Sequence, residues 1–142
     1  MTGDIITPFP SFEASENEAL SIAERVTPDD RLFTARLGLA WVSKVGAAPK
    51  RRRAMLALSK RLIELELASL VGKRPADVTT LLLHEADDYP AQSRVNRAGA
   101  VLQMVLKRTG TEAQPQAPGL ALEYVYRLIE LEMAGLDEGP DT

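Results

Sequence analysis

The chain has 142 residues, 45% of them apolar, and a formal net charge of −3. That suits one domain with a real core and argues against disorder throughout. With no cysteine there are no disulfides, no thiol catalysis and no cysteine-ligated zinc or iron–sulfur centre. No apolar run is long enough to span a bilayer, and the opening MTGDIITPFP lacks the basic-then-apolar order of a signal peptide, so a cytoplasmic protein without a membrane partner is expected.

Residues 1–12, with two prolines and little periodicity, read as an extended arm. Ser15 with Glu18 forms a capping-box pattern that opens a short helix to about Val26. Thr27-Pro28-Asp29-Asp30 then gives a Thr cap, a Pro at the first helical position and acids in the first turn. The helix it opens runs to about Val45 and stops at Gly46-Ala47-Ala48-Pro49. The next starts near Lys50 and ends before Gly72, and Pro75 opens a linking helix over 75–88, closed by Tyr89-Pro90. A further helix spans about Gln92–Arg108, Thr111–Gly119 is a loop, and the last helix is about Leu120–Leu136. Residues 137–142 form an acidic tail. No segment alternates apolar and polar residues, so no sheet is expected.

Arg61–Leu70 reads RLIELELASL and Arg127–Leu136 reads RLIELEMAGL, identical at eight of ten positions and 66 residues apart. The recurrence points to a duplicated helical unit. The expected fold is all-α, with five or six helices. Residues 13–136 make one domain of two αα-hairpins, 28–72 and 92–136, packed as a bundle.

On a helical wheel Leu62, Ile63, Leu65, Leu67 and Leu70 form one apolar arc, with Glu64 opposite in solvent and Glu66 inside the arc. Glu132 takes the same place in the second copy. A carboxylate there needs a cation, a donor, a metal or a proton. Arg31 precedes Glu66, and Arg97 precedes Glu132, by 35 residues each, which predicts two structural ion pairs at matching heights. A carboxylate-bridged di-iron bundle would also need two Glu-x-x-His units, whereas the single histidine, His84, follows Leu81 at that spacing. No metal or other cofactor is expected.

Charge is segregated along the chain. Residues 1–30 hold seven acids and one base, residues 31–74 eleven bases and two acids, and residues 109–142 seven acids and one base. Blocks of this kind mark binding surfaces or neutralise one another within the fold. The basic segment 44–74 includes Lys50-Arg51-Arg52-Arg53 at a helix start, where cations oppose the helix dipole.

Residues 50–83 also fit a helix-turn-helix, with Ala68, Gly72 and Val78 at the small, turn and branched positions. Gly72–Val78, GKRPADV, resembles the turn and recognition-helix start of ParB-like partition proteins, over fewer than twenty residues. The resemblance implies that Lys73, Arg74, Thr79 and Thr80 face DNA, with Lys50–Arg53 adding phosphate contacts. Against it, Asp77, Glu85, Asp87 and Asp88 would repel phosphate.

The chain has no phosphate loop, nucleophile elbow or metal cluster, so no catalytic residues are expected. The favoured reading is a non-catalytic regulatory or assembly factor that binds a protein partner through a charge-segregated helical surface and self-associates, most simply as a dimer. Nucleic acid is the alternative partner, through residues 50–83. Trp41 reads as core or as an interface anchor.

Overall fold

The computed structural model describes residues 15–44, 48–69, 85–108 and 117–138, and among them every regular element is helical, with no strand. The α-helices are α1 (Glu16–Arg25), α2 (Arg31–Lys44), α3 (Pro49–Ala68), α4 (Arg94–Arg108) and α5 (Ala117–Glu138). Short 3-10 turns, Pro28–Asp30 and Ala91–Ser93, lead into α2 and α4. Residues 85–88 form one more helical turn. The all-α bundle read from the sequence is the architecture of the chain.

Local chemistry sets most boundaries. Ser15 Oγ accepts from Glu18 N at 3.2 Å and Glu18 Oε1 accepts from Ser15 N at 2.8 Å, closing the capping box of α1. Thr27 caps nothing with its side chain; its hydroxyl donates to Asp30 Oδ2 at 3.2 Å. Pro49 opens α3 where a missing N–H costs nothing. The last helix begins at Ala117, three residues before the expected Leu120. Pro118 and Gly119 look like loop residues by composition, but a helix's first turn has unpaired N–H groups, so proline fits there.

Contacts between helix ends fix the directions. Arg31 at the start of α2 meets Glu66 near the end of α3, and Arg52 at the start of α3 donates to Val42 O near the end of α2. Arg94 at the start of α4 donates to Leu131 O late in α5. Arg52 meets Glu132 while Tyr126 meets Glu64, so α3 and α5 also run antiparallel. Since α2 packs on α4 as well, the four form a ring in which each neighbouring pair is antiparallel. Helix α1 lies parallel to α3, tied by Arg53–Glu16 and Arg61–Glu24.

Helix α3 is the centre of the fold. Ala54, Met55, Leu56, Ala57, Leu58 and Ser59 are six consecutive buried residues, because α1, α2 and α5 all pack on it. A helix covered on several sides has no simple apolar stripe. Each fully buried Leu or Ile, such as Leu56, Leu58, Leu62 and Ile63, contributes about 1.5–3 kcal/mol from burial. Leu122, Val125, Leu128 and Ile129 do the same on α5. Of the two places open to Trp41, core or interface, it takes the core.

Candidate interaction surface

The basic run at the start of α3 is divided between the surface and the fold. Lys50 and Arg51 are exposed. Arg52 donates to Val42 O at 3.0 Å and to Glu132 Oε2 at 3.4 Å. Arg53 donates to Glu16 Oε1 at 2.9 Å and to Met133 O at 3.2 Å. Two of the four bases therefore join α1, α2 and α5 to α3, Arg53 paired with Glu16 of the acidic N-terminal stretch and Arg52 with Glu132 of the acidic C-terminal stretch. Lys73, Arg74, Thr79 and Thr80, with Gly72, Val78 and the segment resembling ParB-like proteins, lie outside the described residues. Ala68, the small residue of that pattern, is exposed.

Arg31 Nη1 lies 3.5 Å from Glu66 Oε1, both side chains half-buried. The second expected pair, Arg97–Glu132, does not form. Arg97 Nε donates instead to Tyr124 Oη at 3.1 Å, and its guanidinium sits over the Tyr89 and Tyr124 rings. That hydrogen bond, against the desolvation of burial, pushes the Arg97 pKa up. Glu132 is taken by Arg52 and by Arg94, whose Nη1 is 3.7 Å from Oε1. The reason is a shift in spacing. Each 3-10 turn places an arginine first in the helix it opens, Arg31 and Arg94, 63 residues apart, whereas Glu66 and Glu132 are 66 apart. The run from α4 into α5 is three residues longer, so a constant offset picks the wrong arginine.

Contacts recur on the shifted spacing. Arg61 reaches Glu24 at 2.5 Å and Glu64 at 3.0 Å; Arg127 reaches Asp87 at 2.7 Å and Glu130 at 3.2 Å. Hydrogen bonds to these carboxylates push both guanidinium pKa values up. Residues 85–88, the described part of the expected linking helix, thus reach α5 as α1 reaches α3. Glu64, expected in solvent, accepts from Tyr126 Oη at 2.9 Å across the α3–α5 interface. Burial, and then this bond to a carboxylate, push the Tyr126 hydroxyl up to about 12.

The surface that position-by-position reading passed over lies on α2 and α4. These two helices together carry seven bases and no acid, while all ten acids of the five helices lie on α1, α3 and α5. Phe33 on α2 (37% exposed) and Met104 on α4 (54%) are the exposed large apolar side chains among the described residues. The helices approach near Leu39 and Gly99, where a Cβ added to Gly99 would stand 4.0 Å from Leu39 Cβ. At a rise of about 1.5 Å per residue, Phe33 lies about 9 Å from that crossing toward the start of α2 and Met104 about 7.5 Å toward the end of α4. Because the helices are antiparallel, both side chains stand at nearly the same height. Each is followed three residues on by a base. The Arg36 guanidinium stacks 5.4 Å from the Phe33 ring centroid, and Lys107, exposed, shares a helix face with Met104.

An open groove of about 490 Å³ between α1 and α3 is lined by Glu16, Leu20, Glu24, Lys60, Arg61 and Glu64, among others. Its three carboxylates face Arg53 and Arg61, and Lys60 lies over the Tyr126 ring. Among the described residues there is no cluster of three or more metal-ligating side chains, and no helix long and apolar enough to cross a membrane. No family model, curated protein or solved structure matches the chain.

Proposed function

We propose that this protein is a non-catalytic regulatory or assembly factor that holds a protein partner on its α2/α4 face. The observation that carries the reading is the sorting of charge and exposed apolar groups between helices. Twenty-nine residues of α2 and α4 (14 and 15) hold no acid, and the same two helices hold Phe33 and Met104 at the surface. Charge governs encounter and exclusion of wrong partners, while exposed apolar side chains supply contact area. A phosphate backbone would use the bases but leave the apolar pair idle. The arginines of α3 closest to a helix-turn-helix role, Arg52 and Arg53, are bound into the fold.

The test is photo-crosslinking in cells of the native host, with a photoreactive residue at Met104 or, as control, at exposed Ser21 on α1. A protein adduct at position 104 that is absent at 21, and is lost in Arg36→Glu/Lys107→Glu, is the expected result. Equal labelling at both positions would defeat the reading. So would binding to random duplex DNA whose affinity falls by orders of magnitude between about 50 and 200 mM salt, the mark of several phosphate contacts.

A further inference from the structure

We infer that Arg36, at the seam between α2 and α4, is a receptor for one carboxylate, supplied by an aspartate or glutamate side chain of the partner. This deepens the reading that the face binds protein, and rests on it.

Arg36 stands apart from the other arginines. Eight arginines among the described residues are half-buried. Seven of them donate a side-chain hydrogen bond to a carboxylate, a carbonyl or a phenol. Arg36 is the eighth, and its Nε is shielded from water with no hydrogen-bond partner. No acid lies on α2 or α4 to answer its charge. A guanidinium that has already lost part of its hydration gains more from an arriving anion than one in open solvent does.

The group is also held in place. Phe33, one turn earlier, carries the guanidinium 5.4 Å from its ring centroid. Leu39, one turn later, meets Gly99 of α4, and Gln103 lies one turn beyond Gly99. In antiparallel helices that puts Arg36 and Gln103 on the same side of the crossing, about 4.5 and 6 Å along from it. Both are half-buried. An anion at Arg36 therefore has an aromatic ring and a neutral amide for neighbours, and no carboxylate on either helix.

The shape of the site selects the ligand. With Nε enclosed, the two Nη groups remain to bind, and their fork matches the paired oxygens of a carboxylate. One positive charge beside an aromatic ring suits a monoanion on a short apolar stem, which aspartate and glutamate provide. A chain of phosphates is matched instead by a row of exposed bases. A single ion pair near the surface is weak by itself. A carboxylate carried on a bound protein is held at high effective concentration, which a free small carboxylate lacks.

The experiment uses the full-length protein with isotope-labelled arginine and backbone, read by NMR. The Arg36 Nε–H reports on the site directly. The Gly99 amide reports on the seam where Arg36 is altered, and the amide of Arg25, an exposed arginine, is the control. The probes are glutamate blocked at both ends, so that only its side chain is charged, and dimethyl phosphate, a monoanion of equal charge, at constant ionic strength. Blocked glutamate should shift the Arg36 Nε–H and the Gly99 amide saturably, at concentrations at least about tenfold below those that move Arg25. Dimethyl phosphate should bind more weakly. Arg36→Lys keeps the charge and loses the fork, and should weaken binding about fivefold or more. Phe33→Leu should weaken it as well, and Arg36→Gln should remove it. Unchanged positions of the remaining amide signals establish that each variant is folded, and Arg36→Lys serves if Arg36→Gln unfolds.

The absence of a saturable shift at Arg36 up to about 100 mM blocked glutamate would overturn the inference. So would an equal response at Arg25, or an Arg36→Lys variant that binds as well as wild type, because either reduces the effect to bulk charge. Tighter binding of dimethyl phosphate would give the site to a phosphate, and would overturn it too. The crosslink at position 104 in the wild type reads the broader proposal separately. An adduct there without carboxylate binding at Arg36 sinks this inference alone. Carboxylate binding with no protein adduct would put a free small carboxylate at Arg36 and overturn its assignment to a partner side chain.

Discussion

Arg94 Nη1 stands 3.7 Å from Glu132 Oε1 and donates to Leu131 O at 3.3 Å, so a single side chain at the start of α4 grips both a carboxylate and a backbone carbonyl late in α5. Gly135 lies beside it: a Cβ there would stand in ordinary van der Waals contact with the same Nη1, at 3.9 Å. The first copy has Ser69 at that place, whose hydroxyl donates to Glu66 O at 2.7 Å. One of the two differences between the repeated decapeptides thus marks where the surroundings of the two copies diverge.

Double-mutant cycles test this pairing. Arg94→Ala, which loses the bond to Leu131 O, and Glu132→Gln, which loses the charge on the acceptor of the Arg52 bond, should each cost about 1.5–3 kcal/mol, the range for hydrogen bonds to charged groups. Together they should cost less than the sum, because each removes the other's partner. Arg97→Ala and Glu132→Gln should add, since Arg97 serves Tyr124. Additivity in the first cycle, or coupling in the second, would restore the assignment that equal spacing implies.

Gly38→Ala gives the second prediction. In an open helix the change would stabilise by about 0.5–1 kcal/mol. Here the added Cβ would overlap Ser59 Oγ and stand 3.1 Å from Met55 Sδ, so destabilisation of about 1–3 kcal/mol is expected. Ser59→Ala removes the overlapping oxygen at the cost of its bond to Ala35 O. The double variant should melt above Gly38→Ala alone. If Gly38→Ala raises the melting temperature, α2 and α3 are not in close contact at this point.

What the sequence disclosed follows from which interactions are local. The Ser15–Glu18 box spans three residues and needs no tertiary context, so it could be read directly. Glu66 inside an apolar arc was visible because helical period alone puts it there, and Arg31 completes it at 3.5 Å. Arg94 was missed because its distance from Glu132 depends on the length of a connection and the start of a 3-10 turn, neither of which periodicity reports. For Arg52 and Arg53 composition leaves binding surface and neutralisation within the fold equally open, and tertiary packing decides it: α3 is covered by three helices and two of its arginines point among them. The acid-free α2/α4 pair was legible as composition, but only tertiary packing makes those helices neighbours.

Thr34→Val isolates a single hydroxyl. Thr34 is 2% exposed and its Oγ1 has no hydrogen-bond partner. A buried hydroxyl without a bond carries a desolvation cost of about 1–3 kcal/mol, and valine keeps its shape and branching. The variant should be at least as stable as the wild type, while Ser59→Ala, which deletes a satisfied buried hydroxyl, should lose about 1 kcal/mol. A lower melting temperature for Thr34→Val than for Ser59→Ala would mean that Oγ1 is bonded.

Alkaline pH probes the α3–α5 interface through Tyr126. Its hydroxyl ionises at about 12 in the folded chain against an ordinary 10, chiefly through burial and then through its bond to Glu64. The unfolded chain therefore gives up this proton first. Between about pH 10 and 12 the unfolded state binds fewer protons than the folded one, so the stability this group contributes is fully present below that window and falls as pH rises through it. Tyr124 is raised in the same direction, by burial against the opposing pull of Arg97, so its loss adds to the slope without altering the sign. Two measurements separate the contributions. In a tyrosinate absorbance titration the component near pH 12 should vanish in Tyr126→Phe and persist in Tyr124→Phe. In denaturant melts the stability advantage of wild type over Tyr126→Phe should be constant below about pH 10 and shrink above it. If the late component survives Tyr126→Phe, or the advantage grows with pH, then Tyr126 is not the half-buried donor to Glu64 that joins the two central helices.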